Sequence, residues 1–581
     1  MEEKRQGISE DWLSLWLGAF IFILSLLAFA GGDILGWGIA TKEWTDISKA
    51  MSPVSKTYVS VTGEITKIDG SKLTLKKADG KTEEITVKED TAALKVGDMY
   101  EKKGISGFMS LVLTYLFMTL VMTVGAAALR ANVGKFILSF TIVFWISYAC
   151  WLIGHYAYIA ATDAKKAGVP WSLKLTGEAG FIVALIAGLA VGNFFPKLAD
   201  KLKEAIRPEL YIKTAIVLMG GLLGVKAAES LGLATAVMFR GLCAIVEAYL
   251  IYWALVYFIA RKYFKFSREW AAPLASGISI CGVSAAIATG GAIRARPIVP
   301  IMVSSLVVIF AVIELIVLPF MAQTALWKEP LVAGAWMGLA VKTDGAAVAS
   351  GAVTDALIRA KAMSMDGVNY KDGWITMTAT TVKLFIDIFI GVWAFILAYI
   401  WCAKIECKTG EKVGAGEIWN RFPKFVLGYA VTFLLLLMIC LPASKAIGPV
   451  EKEINTIKDE IALTEKQLPS VTDPAALAAL NEKITSGKER MKSLSEEIKG
   501  PKTTLANAKT STSGSNSFRV MFFVLTFFTI GVVSNFKKLW EEGIGKLAAV
   551  YVLCLFGFII WIGLIISWIF FHGVKPPVIT G

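Results

Sequence analysis

Apolar stretches of about 20 residues, the length of a bilayer-crossing helix, recur along the chain. They fall at 12–31, 107–129, 136–160, 179–195, 211–225, 233–260, 271–292, 298–322, 331–353, 374–402, 425–446, 519–535 and 547–571. The pattern predicts an all-α polytopic membrane protein with about thirteen spans. The first stretch, from Trp12, is too long for a signal-peptide core and lacks a cleavage site, so it is expected to stay as an uncleaved span. The segments 271–292 and 331–353 stand apart from the rest. They are rich in Gly, Ser, Ala and Thr and poor in Leu and Phe.

Two polar insertions interrupt this pattern. Between about 52 and 104, Val59–Ile65, Leu73-Thr74-Leu75 and Glu84–Val87 alternate apolar and polar positions. Asp69-Gly70 and Asp79-Gly80 lie between them as hairpin turns. The expectation is a small twisted β barrel or open sheet, similar in size to an oligonucleotide/oligosaccharide-binding fold. Between about 450 and 517 the pattern is helical. Ile454, Ile457, Ile461 and Leu468 are followed by Leu477, Leu480, Ile484, Met491, Leu494 and Ile498 at heptad-like spacings,. Asp473-Pro474 supplies a cap and a first-turn proline between the two runs. The prediction is an antiparallel helical hairpin, followed by a flexible Ser/Thr/Gly linker at 510–517. The chain then divides into a first helix and linker (1–51), the β insertion (52–104), a first membrane part (105–446), the hairpin and linker (447–518) and a last membrane part (519–581).

Composition sharpens the class. Of 581 residues 56% are hydrophobic and 18% charged, which excludes a soluble enzyme, a disordered chain and a disulfide scaffold,. The net charge of +13 would suggest nucleic acid in a soluble protein, but in a membrane protein it marks cytoplasmic loops. With the N-terminus inside, Lys and Arg favour the inner short loops by roughly two to one. That count places Arg294 and Arg296 outside, Lys328 inside, and both insertions and the C-terminus outside. Seven Cys without a C-x-x-C pair and two His argue against metal or disulfide chemistry,.

Candidate chemistry concentrates in the two unusual segments. Pro273–Gly291 can enter a bilayer yet is dense in residues that weaken a helix. A helix broken at mid-membrane frees backbone groups that must face protein, water or a ligand, and half-helix N-termini favour anions. Ser279, Ser284 and Thr289 add hydroxyls; a small-residue packing face is the alternative. Ala335–Gly351 repeats this character and adds Lys342 and Asp344, charges that cost at least about 2.5–3.5 kcal/mol at such depth. The alternative there is a surface turn. Lys213, Arg240, Glu247, Glu314, Lys383 and Asp387 also fall within apolar stretches. Lys383 and Asp387 share a helix face and can pair or line a cavity. Arg240 and Glu247, seven apart, are expected to form a structural bridge. The stretch Ile216–Gly232 resembles Val524–Gly543, each leading into a long apolar run, as in inverted-repeat transporters. A P-loop and hydrolase motifs are absent from the sequence,.

The run Ser279-Ile280-Cys281-Gly282-Val283-Ser284-Ala285-Ala286 resembles the S-I-C-G-x-[AS]-A element of the bacterial inner-membrane family labelled sulfate exporters. Gly188–Asn193, Gly220 with Gly224, Val348–Gly351, Val382-Lys383 and Gly531 are similar to further elements in the same order. The resemblance implies a core related to sodium–proton antiporters and bile-acid symporters, with crossed discontinuous helices and dimeric assembly. The chain departs from the family pattern at Lys342 and Thr343, where the acid comes one residue later as Asp344. It departs also at Gly290, and at Ile386 with Asp387.

Together these readings predict a secondary transporter of a small anion, sulfate or a related oxyanion or organic anion, coupled to protons or sodium. It would work by alternating access in a bacterial inner membrane. Ser279, Cys281, Gly282, Ser284, Lys342 and Thr343 are the expected substrate site. Asp344, Lys383 and Asp387 are the expected coupling-ion site. No enzymatic activity, cofactor, metal or nucleic acid is expected; the expected partners are the bilayer, the anion and a second copy of the chain. A cation/proton antiporter and a non-transporting sensor or assembly protein are the alternatives.

Overall fold

The computed structural model describes residues 8–579 except 70–71, 77–81, 87–93, 162–163, 174, 176, 178, 297, 405–418, 420–422, 468–473 and 535–544. The principal helices in chain order are α1 (Glu10–Ala30), α2 (Gly107–Ala128), α3 (Val133–Gly154), α4 (Ala179–Phe194), α5 (Pro208–Glu229), α6 (Leu231–Lys262), α7 (Arg268–Ser279) and α8 (Val283–Ala292). They continue as α9 (Ile298–Ala325), α10 (Pro330–Ala340), α11 (Asp344–Asp366), α12 (Trp374–Trp401), α13 (Lys424–Lys466), α14 (Pro474–Glu497), α15 (Lys499–Val533) and α16 (Gly545–Phe571). Among the described residues ten helices are long and apolar enough to cross a membrane: α1–α3, α5, α6, α9, α12, α13, α15 and α16. Counting α4 with the helix that follows it at a 112° bend makes eleven.

The shortfall from the expected thirteen lies in the two unusual segments, which fold back on themselves. Across α7 and α8, Thr289 Oγ1 donates to Ser276 Oγ at 2.7 Å. Arg296, just beyond α8, grips Glu269 in the first turn of α7 with two hydrogen bonds (Nε–Oε1 3.0 Å, Nη2–Oε2 3.1 Å). The far ends of α7 and α8 therefore lie together. A Cβ on Gly334 would stand 2.6 Å from the Ile375 carbonyl, and one on Gly338 2.7 Å from that of Ala379, so α10 runs parallel to α12. Asp355 accepts from the N–H groups of Ile375 and Thr376 (3.0 and 3.2 Å), while Asp344 reaches Lys383, so α11 runs antiparallel to α12. Both segments are re-entrant hairpins rather than discontinuous spans.

Helix α9 fixes their depth. It has 28 residues, about 42 Å at 1.5 Å per residue,. It begins where the first hairpin ends and finishes where the second begins, so the hairpins enter from opposite faces. Val303 lies against Gly277 and Val307 against Gly282, while Glu314 bonds the tip of the second hairpin. The tips thus meet beside the middle of α9. Contrary to the expectation from Lys and Arg counts, Arg294 and Arg296 lie on the same face as the N-terminus, and Lys328 on the other.

Glycines set the tightest packing around this core. Cβ atoms on Gly188 and Gly192 of α4 would come within 2.0 and 2.3 Å of the Phe528 and Val532 carbonyls of α15. One on Gly531 would come within 2.4 Å of the Leu185 carbonyl. Gly220 and Gly224 of α5 make the same close approach to Tyr429, Thr432 and Phe433 of α13. Such small-residue seams let backbones approach where lipid offers no hydrophobic drive.

The β insertion is an open antiparallel sheet. With β1 (Ile39–Thr41) and β2 (Met51–Pro53) paired separately, β3 (Val61–Asp69), β4 (Lys72–Lys76), β5 (Thr82–Thr86) and β6 (Met99–Lys102) lie in the order β5-β4-β3-β6. Val61, Ile65, Leu73 and Leu75 form its small core. The expected turn at Asp79-Gly80, and Gly70 of the other, lie outside the described residues. The helical hairpin is present: Gly487 of α14 sits on Ile457 and Ile461 of the α13 extension, flanked by Lys488–Glu465 (3.1 Å) and Arg490–Glu453 (3.0 Å). Leu468 and Asp473 lie outside the described residues. The stretch 510–517 is not a linker but part of α15. Its hydroxyls bond back to carbonyls one turn earlier, as Thr512 does to Ala508 (2.9 Å),. Its small side chains let α15 approach α1 and β1, through Ser511–Ser25 (2.9 Å) and Ser517 Oγ to the Ile39 carbonyl (2.6 Å).

Candidate functional site

Each hairpin tip ends its first helix on carbonyls and begins its second on amides that lack intrahelical partners. The first tip, Ile280–Gly282, turns through Gly282 at φ 60° and ψ −97°. A Cβ there would stand 2.6 Å from Val307 Cγ1, so glycine is required by both conformation and space. The second tip is Val341–Thr343, and Thr343 caps α11 by accepting from the Ala346 N–H at 3.2 Å.

Lys383 of α12 joins the two tips. Its ammonium donates to the Ile280 carbonyl at 2.7 Å, and to those of Lys342 and Val341 at 3.3 and 3.4 Å. It therefore sits on the negative ends of α7 and α10. The same ammonium lies 3.9 Å from Asp344 Oδ1, the first residue of α11, and both side chains are buried. Asp387, one turn beyond Lys383, is fully buried; among the described residues the one side chain within hydrogen-bonding reach of it is the other acid, Asp344, and no N–H or hydroxyl donates to its oxygens. Asp344 Oδ1 also lacks such a donor. One ligand atom each from Cys281, Asp344 and Asp387 lies within 4.8 Å of the others. With both acids ionised, the cluster of two carboxylates and one ammonium carries a net charge of −1. A shared proton or a monovalent cation would neutralise it; the adjacent ammonium opposes a divalent ion.

The nine residues singled out from sequence divide. Asp344, Lys383, Asp387, Cys281 and Gly282 converge on the tips. Ser279, the last residue of α7, is buried with its Oγ unpartnered, and Ser284 lies half-buried in the first turn of α8. Thr343 spends its hydroxyl on the α11 cap. Lys342 contributes its carbonyl to Lys383, but its side chain points the other way. Its ammonium donates to the Leu339 carbonyl and lies 4.6 Å from the Tyr252 ring centre. Its N–H donates to Glu314 Oε2 at 2.9 Å, and Tyr551 donates to Glu314 Oε1 at 2.9 Å. The expected Arg240–Glu247 bridge is not made. Arg240 donates to the Phe570 carbonyl at the helix end, and Glu247 is buried with both oxygens unpartnered. Glu314, which pins the second tip, was visible in sequence only as a lone acid in an apolar helix.

The fold and these tips define a polytopic membrane protein with two opposed re-entrant hairpins meeting over a buried lysine and two acids. The chain belongs to the family described as conserved hypothetical protein 698, the UPF0324 membrane proteins, whose profile matches residues 149–485. It is 36% identical over 574 residues to a UPF0324 membrane protein of Nitrosomonas europaea, covering 98% of this chain and 97% of that one. It is 45% identical over 202 residues to an uncharacterized protein of Archaeoglobus fulgidus, covering 35% of this chain and 88% of that one. A UPF0324 membrane protein of Nitratidesulfovibrio vulgaris is 29% identical over 339 residues, 57% of this chain and 50% of that one. No solved structure matches the chain.

Proposed function

We propose that this protein is a secondary active transporter in which a proton or sodium ion binds between Asp344 and Asp387 and drives a small anion by alternating access. The observation that carries the reading is the pair of buried, mutually adjacent carboxylates, Asp344 and Asp387, at the meeting point of two opposed hairpins. Ionisable groups at such depth are expensive and mark ion pathways. The charge balance gives the order of binding. While the cluster carries −1, an anion is repelled. Once a cation neutralises it, the amide ends of α8 and α11, with the Ser279 and Ser284 hydroxyls, can hold an anion beside Lys383. Lys342 takes no part in that anion site, because its ammonium faces Tyr252. Moving Arg294 and Arg296 to the N-terminal face strengthens the basic excess there, and we assign that face to the cytoplasm.

The surplus of acid over base favours one second reading, a cation/proton antiporter. Proteoliposomes loaded with sulfate or a small organic anion, under an imposed pH or sodium gradient, separate the two. The expected result is gradient-driven anion flux that falls at least about tenfold, or 1.4 kcal/mol, in Asp387→Asn and Asp344→Asn. Cation exchange without any anion requirement would establish the antiporter. Undiminished flux in both correctly folded variants would remove the site assignment.

A further inference from the structure

A second group of buried charges lies on the opposite side of the α10–α11 tip from Asp344 and Asp387. Lys342 is at its centre, with Glu314 of α9 and Glu247 of α6 as the acids that act on it. Glu314 is satisfied by two donors, the Lys342 N–H and the Tyr551 hydroxyl. Glu247 is 1% exposed and has none. It stands at the middle of α6, where the helix widens to a π turn over Glu247–Tyr252. The middle of α16 does the same over Leu555–Ile559, and the two irregular turns meet: Tyr252 Oη donates to the Ile559 carbonyl at 2.9 Å. π turns inside α-helices gather at functional sites. Gly563 keeps the space beside them open, since a Cβ there would lie 2.7 Å from Tyr252 Oη and 3.5 Å from Glu247 Oε1. Helices α6 and α16 are also the long apolar runs that follow the two members of the internal repeat.

We propose that Glu247 is a second proton-binding site, coupled to the Asp344–Asp387 pair through the tip that carries Lys342. An ionised Glu247 would be a buried charge whose nearest donor, the Tyr252 hydroxyl, already gives its hydrogen to the Ile559 carbonyl, which is costly. A protonated Glu247 is neutral, and its O–H has an acceptor at hand, because Tyr252 Oη has committed its own hydrogen to Ile559. The groups facing Glu247 are Lys342 from the hairpin and Tyr252 and Cys243 from α6 itself, with Glu314 and Tyr551 beyond Lys342. Among the described residues the one group of three potential metal ligands is Cys281, Asp344 and Asp387, so the cation proposed for Glu247 is a proton. When the hairpin tip moves, Lys342 moves with it, and the proton on Glu247 is held or released according to where that ammonium stands.

Proton binding here does not depend on transport; only its place in a cycle rests on the transporter reading. Infrared difference spectra of the full-length protein in lipid, titrated with pH, read protonated carboxyls directly. The expected result is a protonated-carboxyl band that Glu247→Gln removes and Asp387→Asn retains. An unchanged band in Glu247→Gln overturns the proposal. Should that variant not fold, Lys342→Met provides the second reading: loss of the ammonium should let the band persist to higher pH by about one unit, a tenfold gain in proton affinity. An unshifted band overturns the proposal as well. Absence of flux in the wild-type protein alongside the Glu247 band would sink the transporter reading alone, and intact flux in Asp387→Asn alongside it only the coupling-ion assignment.

Discussion

Lys383 is a buried cation with every hydrogen accounted for: carbonyls from both hairpin tips accept from it, and Asp344 balances its charge. Removing one member of a buried charge pair costs about 3–5 kcal/mol, because the other is left stranded. Lys383→Met should therefore lower stability in detergent by that amount, read as a fall in the thermal or denaturant midpoint. Adding Asp344→Asn removes the stranded charge and should recover at least about 1 kcal/mol of the loss. Strict additivity of the two changes would mean that the pair is not coupled. Lys383 and Asp387 were legible in the sequence, because α12 is regular through both and spacing of four residues marks a face. Lys342 was legible as a charge but not in direction, since a tip with no helical period does not say which way neighbouring side chains point. The Arg240–Glu247 spacing misled for a related reason. Helix α6 is interrupted at Leu242 and widens from Glu247, so seven residues no longer return to one face.

At the scale of elements, the density of Gly, Ser and Thr in 271–292 and 331–353 announced that these helices break. It did not announce that they reverse. A broken span and a re-entrant hairpin need the same apolar length and the same tolerance for freed backbone groups. What decides between them is where the far ends lie, Arg296 on Glu269 in the first segment and Gly334 and Asp355 both against Ile375 in the second, which no local pattern contains. The two architectures make opposite predictions for the loop after α8. A single cysteine at Ala295 in a cysteine-free background should react with a membrane-impermeant maleimide from the same face as one at Ala131, and from the opposite face to one at Lys328. Labelling of Ala295 and Lys328 positions with the faces exchanged would restore the thirteen-span reading. The glycine seams were quoted from sequence as family marks, and their physical use is now plain. Gly531→Val would drive a side chain into the Leu185 carbonyl. It should destabilise by at least about 1–3 kcal/mol, the range for overpacking, measured by the same midpoint shift. An unchanged midpoint would show that α4 and α15 can separate without cost.

For the molecule as a whole, the seams divide what is tightly joined from what is not. Helices α4 and α15, and α5 and α13, are pressed together through glycine, and the hairpins are gripped by α9 and α12. Between α12 and α13 the packing is looser. An apolar groove of about 190 Å³, open on the side of Met238 and Leu434, lies there, lined also by Met377, Thr381, Phe385, Tyr429 and Ala430. Interiors are normally close-packed, and a gap along one boundary is where two bodies can slide at least cost. If alternating access moves the α12 side against the α13 side, the groove must change shape during the cycle. Ala430→Phe fills it without touching the hairpin tips. It should leave the midpoint of unfolding equal or higher, because the added ring gains apolar contact along the groove, while slowing flux several-fold. Cation binding at Asp387, read by sodium- or pH-dependent thermal stabilisation, should be retained. A variant that is more stable, binds the cation and transports at the wild-type rate would show that this boundary does not move. The moving boundary would then have to be sought where α5 meets the second tip, at Ile212 and Gly345.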